Sequence, residues 1–132
     1  MNSTAAQSQL LVDRINHKFG SADDPVVIYD RREQGFLQLE GRLALLSVAD
    51  IFVVTTLRDG LNRWPFEYVL AQASMQGDGK EYLPKRKVPG VMLLSEFTSC
   101  TRVLQGALHV NPWRIEEVAE SMYTSVAPPA FS

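Results

Sequence analysis

Ile51-Phe52-Val53-Val54-Thr55-Thr56-Leu57-Arg58-Asp59-Gly60-Leu61-Asn62-Arg63-Trp64-Pro65-Phe66-Glu67-Tyr68 holds three kinds of sequence in one stretch. Residues 51–55 form a continuous β-branched and apolar run, the pattern of a strand buried on both faces. Residues 56–64 are the most polar link in the chain and carry Gly60, which suits a tight turn or a ligand's approach to the backbone. Pro65 fits the first position of a helix, where its missing N–H is no loss, and 65–73 reads as that helix. Strand, polar turn and helix in this order make the repeating unit of a parallel α/β sheet. Ligands bind such sheets outside the carboxyl ends of the strands.

The flanking sequence extends the pattern. Leu39, Leu43, Leu46 and Ala49 recur at helical spacing before the strand. Upstream, Pro25-Val26-Val27-Ile28-Tyr29 reads as a further strand, preceded by a helix bearing Leu10, Leu11, Ile15 and Phe19 and stopped by Gly20. Downstream, Val91-Met92-Leu93-Leu94 and Ala107-Leu108-His109-Val110 read as two more buried strands. Ile115, Val118, Ala119 and Met122 mark a final amphipathic helix, and Pro128-Pro129 ends regular structure. The expected architecture is α/β: a Rossmann-like parallel sheet of about four strands with helices on both faces. Residues 1–9 are expected to be disordered, 10–126 to form the folded domain and 127–132 to be a tail.

Composition narrows the class. The chain has 132 residues, a net charge of -2 and a hydrophobic fraction of 45%, the profile of an ordinary globular domain. Thirteen basic against 15 acidic residues give no general attraction for nucleic acid, so no nucleic-acid partner is expected. Cys100 is the single cysteine, which excludes an intrachain disulfide and reads as a small buried filler. One cysteine with His17 and His109 offers no familiar zinc spacing. The apolar region 43–54 is broken by Ser47 and Asp50, well short of a membrane span of about 18 residues. No signal peptide is read at the N-terminus, and a cytoplasmic location is the default. The basic cluster Lys80, Lys85, Arg86 and Lys87 in the 74–89 loop reads as a solvated surface.

The turn after residues 51–55 is where chemistry is expected. Free N–H groups at the start of the following helix, with its dipole, make an anion site. Glu67 lies in the first helical turn, where a carboxylate can accept two hydrogen bonds from a vicinal diol such as a ribose. Each residue also has a structural reading. The helix dipole alone favours Glu67, Asp59-Gly60 is a common turn pair, and Arg58 has carboxylates nearby to pair with.

At this turn a resemblance emerges. Leu57-Arg58-Asp59-Gly60-Leu61-Asn62, followed by Glu67-Tyr68, resembles the "L-R-D-G-M-N…E-Y" signature of trehalose-6-phosphate synthases. Four more blocks resemble that family in the same order. They are Leu11-Val12-Asp13-Arg14-Ile15-Asn16 with Phe19-Gly20, residues 43–50, Val91 to Phe97, and Ala107 to Trp113 with Glu117-Val118-Ala119. The resemblance implies a truncated C-terminal half of a two-domain, GT-B type glycosyltransferase. Its parent reaction moves glucose from UDP-glucose to glucose 6-phosphate with retention, and requires no metal and no further cofactor.

By the same resemblance, Asp59 is the catalytic-site carboxylate that holds donor-glucose hydroxyls. Gly60, Leu61 and Asn62 assist through their backbone. Arg63 and Trp64 present N–H groups to the diphosphate, Glu67 grips the ribose, and Leu37 helps to cover the uracil. A trehalose-6-phosphate phosphatase domain or protein is an expected partner. Arg63-Trp64 stands where the family has Leu-Val, and Thr98-Ser99-Cys100 where it has small residues such as Ala-Gly-Ala. The resemblance covers only a C-terminal portion of the family's catalytic region. It lacks the acceptor half and the Arg and Lys that the family sets against the donor phosphates. The chain therefore reads as a truncated product or a fragment of a longer protein. A non-catalytic regulatory or interaction domain of the same descent is the alternative. A flavodoxin-like signalling domain is disfavoured, because no acidic cluster follows the first strand.

Overall fold

The structure, a computed structural model, describes residues 3–30, 37–76 and 88–127. The basic cluster at residues 80–87 and the Pro128-Pro129 tail lie outside the described residues. The chain divides into two compact units, Met1–Leu37 and Gln38–Ser132.

The first unit holds helix α1, Thr4–Phe19. It starts six residues ahead of Leu10, because Ser3 caps it: the Ser3 side chain accepts from the Ala6 N–H at 3.4 Å. Residues 4–9, expected to be disordered, are therefore helical. Gly20 ends α1 as expected, and its N–H donates to the Asn16 carbonyl at 2.8 Å. Its φ of -112° shows that the glycine is there for space and not for a left-handed turn. A Cβ would stand 3.1 Å from the carbonyls of Asn16 and Asp24.

The strand expected at residues 26–29 does not form. Val26 and Ile28 are exposed, and no ladder partner reaches them among the described residues. The Asn16 side chain substitutes for a neighbouring strand. Its Nδ2 donates to the Val27 carbonyl and its Oδ1 accepts from the Val27 N–H, both at 2.8 Å. A β-branched run states a preference, but a strand needs a partner. Asn16→Ala leaves both Val27 groups without that partner. We expect it to cost about 1–3 kcal/mol locally and to speed hydrogen exchange at the Val27 amide; unchanged protection there would show the contact to be idle.

The second unit carries the sheet. Helix α2 spans Leu39–Val48, strand β1 Ile51–Val54, helix α3 Trp64–Ser74, strand β2 Val91–Ser95, strand β3 Leu108–Val110 and helix α4 Ile115–Val126; a 3-10 turn covers Ser99–Arg102. Among the described residues the sheet has three strands in the order β1-β2-β3, all parallel, one fewer than expected. The register sets Phe52 beside Met92 and Val54 beside Leu94. These side chains share one face, by the alternation of a strand. Leu46 of α2 and Tyr68 and Ala71 of α3 close over them into the core. Phe52 stacks on Tyr68 with ring centroids 5.0 Å apart.

Gln72 fastens α2 to the sheet. Its Nε2 donates to the Leu46 carbonyl at 2.8 Å, and its Oε1 accepts from the Gly90 N–H at 2.9 Å. The final amphipathic helix forms as expected, α4; no residue of it is fully buried, although it touches all three strands. Ile115, Met122 and Val126 are exposed. Among the described residues no helix is long and apolar enough to cross a membrane.

Candidate functional site

Three parallel strands end on the same side of the sheet, and the segments after β1 and β2 meet there. The turn 55–63 leaves β1, and the Ser99–Arg102 turn follows β2. Ser99 Oγ donates to the Gly60 carbonyl at 2.8 Å, and Cys100 Sγ to the Asn62 carbonyl at 3.0 Å. These two bonds hold the first turn from behind at two places. Cys100 is buried, as a filler would be, but it also grips the turn. These residues stand where the resembled family has small side chains, so the change adds two tethers to the polar turn.

Within the turn, Thr56 Oγ1 donates to Asp59 Oδ2 at 3.2 Å. Asp59 Oδ1 is buried and has no hydrogen-bond partner among the described residues. A buried carboxylate oxygen without a donor costs about 1–3 kcal/mol or more, so such an atom marks a place where a ligand donor fits. The space beside Gly60 is empty: a Cβ there would meet nothing within 4 Å. Gly60 therefore leaves room at the turn, and its φ lies outside the left-handed region. Leu61 is exposed.

The start of α3 is less free than expected. Asn62 Oδ1, one residue before the N-cap Arg63, accepts from the Trp64 N–H at 3.1 Å, so Trp64's donor is engaged. Glu67 N–H donates to the Arg63 carbonyl at 3.0 Å, and Pro65 has no N–H. The Arg63 and Phe66 N–H groups have no bond among the described residues and are the donors left for an anion. Asn62 and Trp64, with Phe52 to Thr56, line a hollow of about 370 Å³ at the end of β1.

Glu67 turns towards α2. Arg42 Nε meets Glu67 Oε2 at 2.6 Å and an Arg42 terminal nitrogen meets Oε1 at 3.1 Å. The side chains are only 15% and 19% exposed. The same guanidinium lies over the Trp64 ring, 5.2 Å from its centroid. Glu67 also lines a mainly apolar groove of about 540 Å³ between α2 and α3, with Leu39, Leu43 and Leu70. The structure thus gathers Asp59 to Trp64 in one turn and ties Glu67 to α2. Leu37, half-buried, closes the first unit. The sequence reading missed Arg42, although a cation among the leucines of the α2 stripe was a visible signal. Among the described residues no group of three or more His, Cys, Asp or Glu could hold a metal ion.

A parallel α/β unit with a polar turn at the carboxyl ends of its strands defines a Rossmann-like class, whose ligands bind at that end of the sheet. The chain belongs to glycosyltransferase family 20, whose model matches residues 1–130. It is 36% identical over 116 residues to an alpha,alpha-trehalose-phosphate synthase (UDP-forming) of Yarrowia lipolytica, covering 88% of this chain and 21% of that protein. It is similar to the crystal structure of such a synthase from Burkholderia xenovorans in complex with glucose-6-phosphate. There the TM-score is 0.73 and the identity 31%, over 95% of this chain and 25% of that one. The N-terminal domain of Candida albicans trehalose-6-phosphate phosphatase superposes with a TM-score of 0.71 at 30% identity, over 96% of this chain and 24% of that one. The chain thus spans about a fifth of the curated relative's length and a quarter of the solved chains.

Proposed function

We propose that this chain supplies part of the donor site of a retaining glycosyltransferase that moves glucose from UDP-glucose to glucose 6-phosphate. The observation that carries the reading is the buried, unpartnered Oδ1 of Asp59 at the end of β1. A donor-sugar hydroxyl supplies what that oxygen lacks. The Arg63 N–H at the start of α3 takes an oxygen of the diphosphate, helped by the dipole of an 11-residue helix. Gly60, Leu61 and Asn62 shape the turn and Trp64 walls it; the family resemblance assigns Glu67 to the ribose and Leu37 to the uracil. The chemistry assigned to these residues needs no metal or other cofactor. A cytoplasmic location belongs to the same proposal. So does a partner phosphatase domain or protein that consumes the phosphorylated product, supported by the likeness to the Candida albicans phosphatase domain.

The test compares UDP-glucose with UDP. If Asp59 serves the sugar, Asp59→Ala weakens UDP-glucose by about tenfold, the low end for a hydrogen bond to a charged group, and leaves UDP unchanged. Ligand-observed NMR titration reads both. Equal loss for the two ligands would assign Asp59 to the turn's shape instead.

A further inference from the structure

We infer that Arg42 is a specificity-determining residue of the donor site, because its guanidinium holds the edge of Glu67 that a ribose diol needs. The inference rests on the donor-site reading. The contact is two-pronged: Nε on Oε2 at 2.6 Å and a terminal nitrogen on Oε1 at 3.1 Å. A fork of this kind takes the lone pairs of both oxygens that point the same way. A vicinal diol spanning the two oxygens uses that same edge. Glu67 keeps acceptor capacity on its outer lone pairs, but those diverge and cannot both serve adjacent hydroxyls.

Two features make the fork hard to displace. Both side chains are largely shielded from water, at 15% and 19% exposure, so separating them leaves two charges poorly solvated. The guanidinium is also packed on the Trp64 indole, 5.2 Å from its centroid, which limits where it can swing. Trp64 is itself a departure from the resembled family, so the stack is a feature of this chain's own sequence. With the fork closed, the ribose hydroxyls contribute little, and the site reads the sugar at Asp59 and the diphosphate at Arg63 instead.

The readout is discrimination between UDP and 2′-deoxy-UDP, a ratio that a merely structural role for Arg42 does not move. Both ligands are titrated by NMR into the full chain and into Arg42→Gln and Arg42→Lys. Lysine keeps the charge but lacks the planar fork, so it retains the fold if glutamine does not; thermal melting reports folding for each. The unaltered chain is expected to bind the two within about twofold, and Arg42→Gln to favour UDP by about tenfold, with Arg42→Lys between them. Preference for UDP in the unaltered chain that falls in the variants overturns the inference, because Arg42 then supports the ribose contact. A ratio unchanged in both variants, with UDP-glucose binding still dependent on Asp59, overturns it and leaves the donor-site reading standing. Failure of all three proteins to bind UDP overturns the reading and the inference together.

Discussion

Gly90→Ala is expected to lower the stability of the second unit by roughly 2–4 kcal/mol, combining overpacking with loss of a part-buried hydrogen bond. A Cβ on Gly90 would stand 2.0 Å from the Tyr68 hydroxyl, 2.6 Å from the Ala49 carbonyl and 2.9 Å from the Asp50 carbonyl. Two of the three are backbone, and the third is the tip of a side chain that is 2% exposed and donates to the Ala49 carbonyl at 3.1 Å. Nothing there can yield cheaply. Gly90 also donates its N–H to Gln72, whose amide grips the end of α2, so a shift at Gly90 pulls on α2, α3 and β2 together. With about 3–5 °C per kcal/mol for a domain of this size, the melting midpoint should fall by roughly 10 °C. Tyr68→Phe in the same chain removes the 2.0 Å contact and should recover part of the loss. Additive losses in the double variant would show that the carbonyls, not the hydroxyl, set the cost.

The same contrast between local and distant contacts explains what the sequence made legible. The strands at Ile51–Val54 and Val91–Ser95 were readable because each is a short continuous apolar run; β2 is buried along nearly its whole length, whereas in β1 only Val54 is fully buried. The residues at 26–29 have the same propensity, but Asn16 pairs with Val27 from 11 positions away and takes the bonds a ladder would have used. The α4 stripe was legible as apolar, yet Ile115, Met122 and Val126 are exposed. Periodicity gives the face of a helix and says nothing of what lies opposite it. At the site, Asp59, Gly60 and Asn62 were visible because one turn holds them in consecutive positions. Arg42 and Glu67 are 25 positions apart, and Ser99 reaches Gly60 across 39. The first pair is made by α2 packing on α3 and the second by the segments that follow β1 and β2, contacts that exist only after the tertiary fold has formed.

A polypeptide of these 132 residues, incubated by itself with UDP-glucose and glucose 6-phosphate, is expected to release no UDP above a no-protein control. Transfer with retention needs donor and acceptor held in near-attack geometry, and positioning of that kind supplies roughly 7–11 kcal/mol of barrier lowering. Under the proposed donor-site reading, the described residues offer one wall: the Asp59–Asn62 turn, the Arg63 N–H and the Glu67 carboxylate with Arg42 across it. The hollow beside that turn measures about 370 Å³. Productive pockets enclose about 70–90% of a ligand's surface, and a single wall cannot. Affinity for UDP should accordingly be on the order of millimolar, about 4 kcal/mol of binding. Even that is too little to place a phosphorylated acceptor against the anomeric carbon. The Yarrowia lipolytica synthase, of which this chain spans 21%, has the remaining length in which to build the other walls. Coupled-enzyme detection of UDP provides the measurement. Turnover that survives repurification and disappears in Asp59→Ala would overturn the expectation, and would mean that copies of this chain assemble the missing walls among themselves.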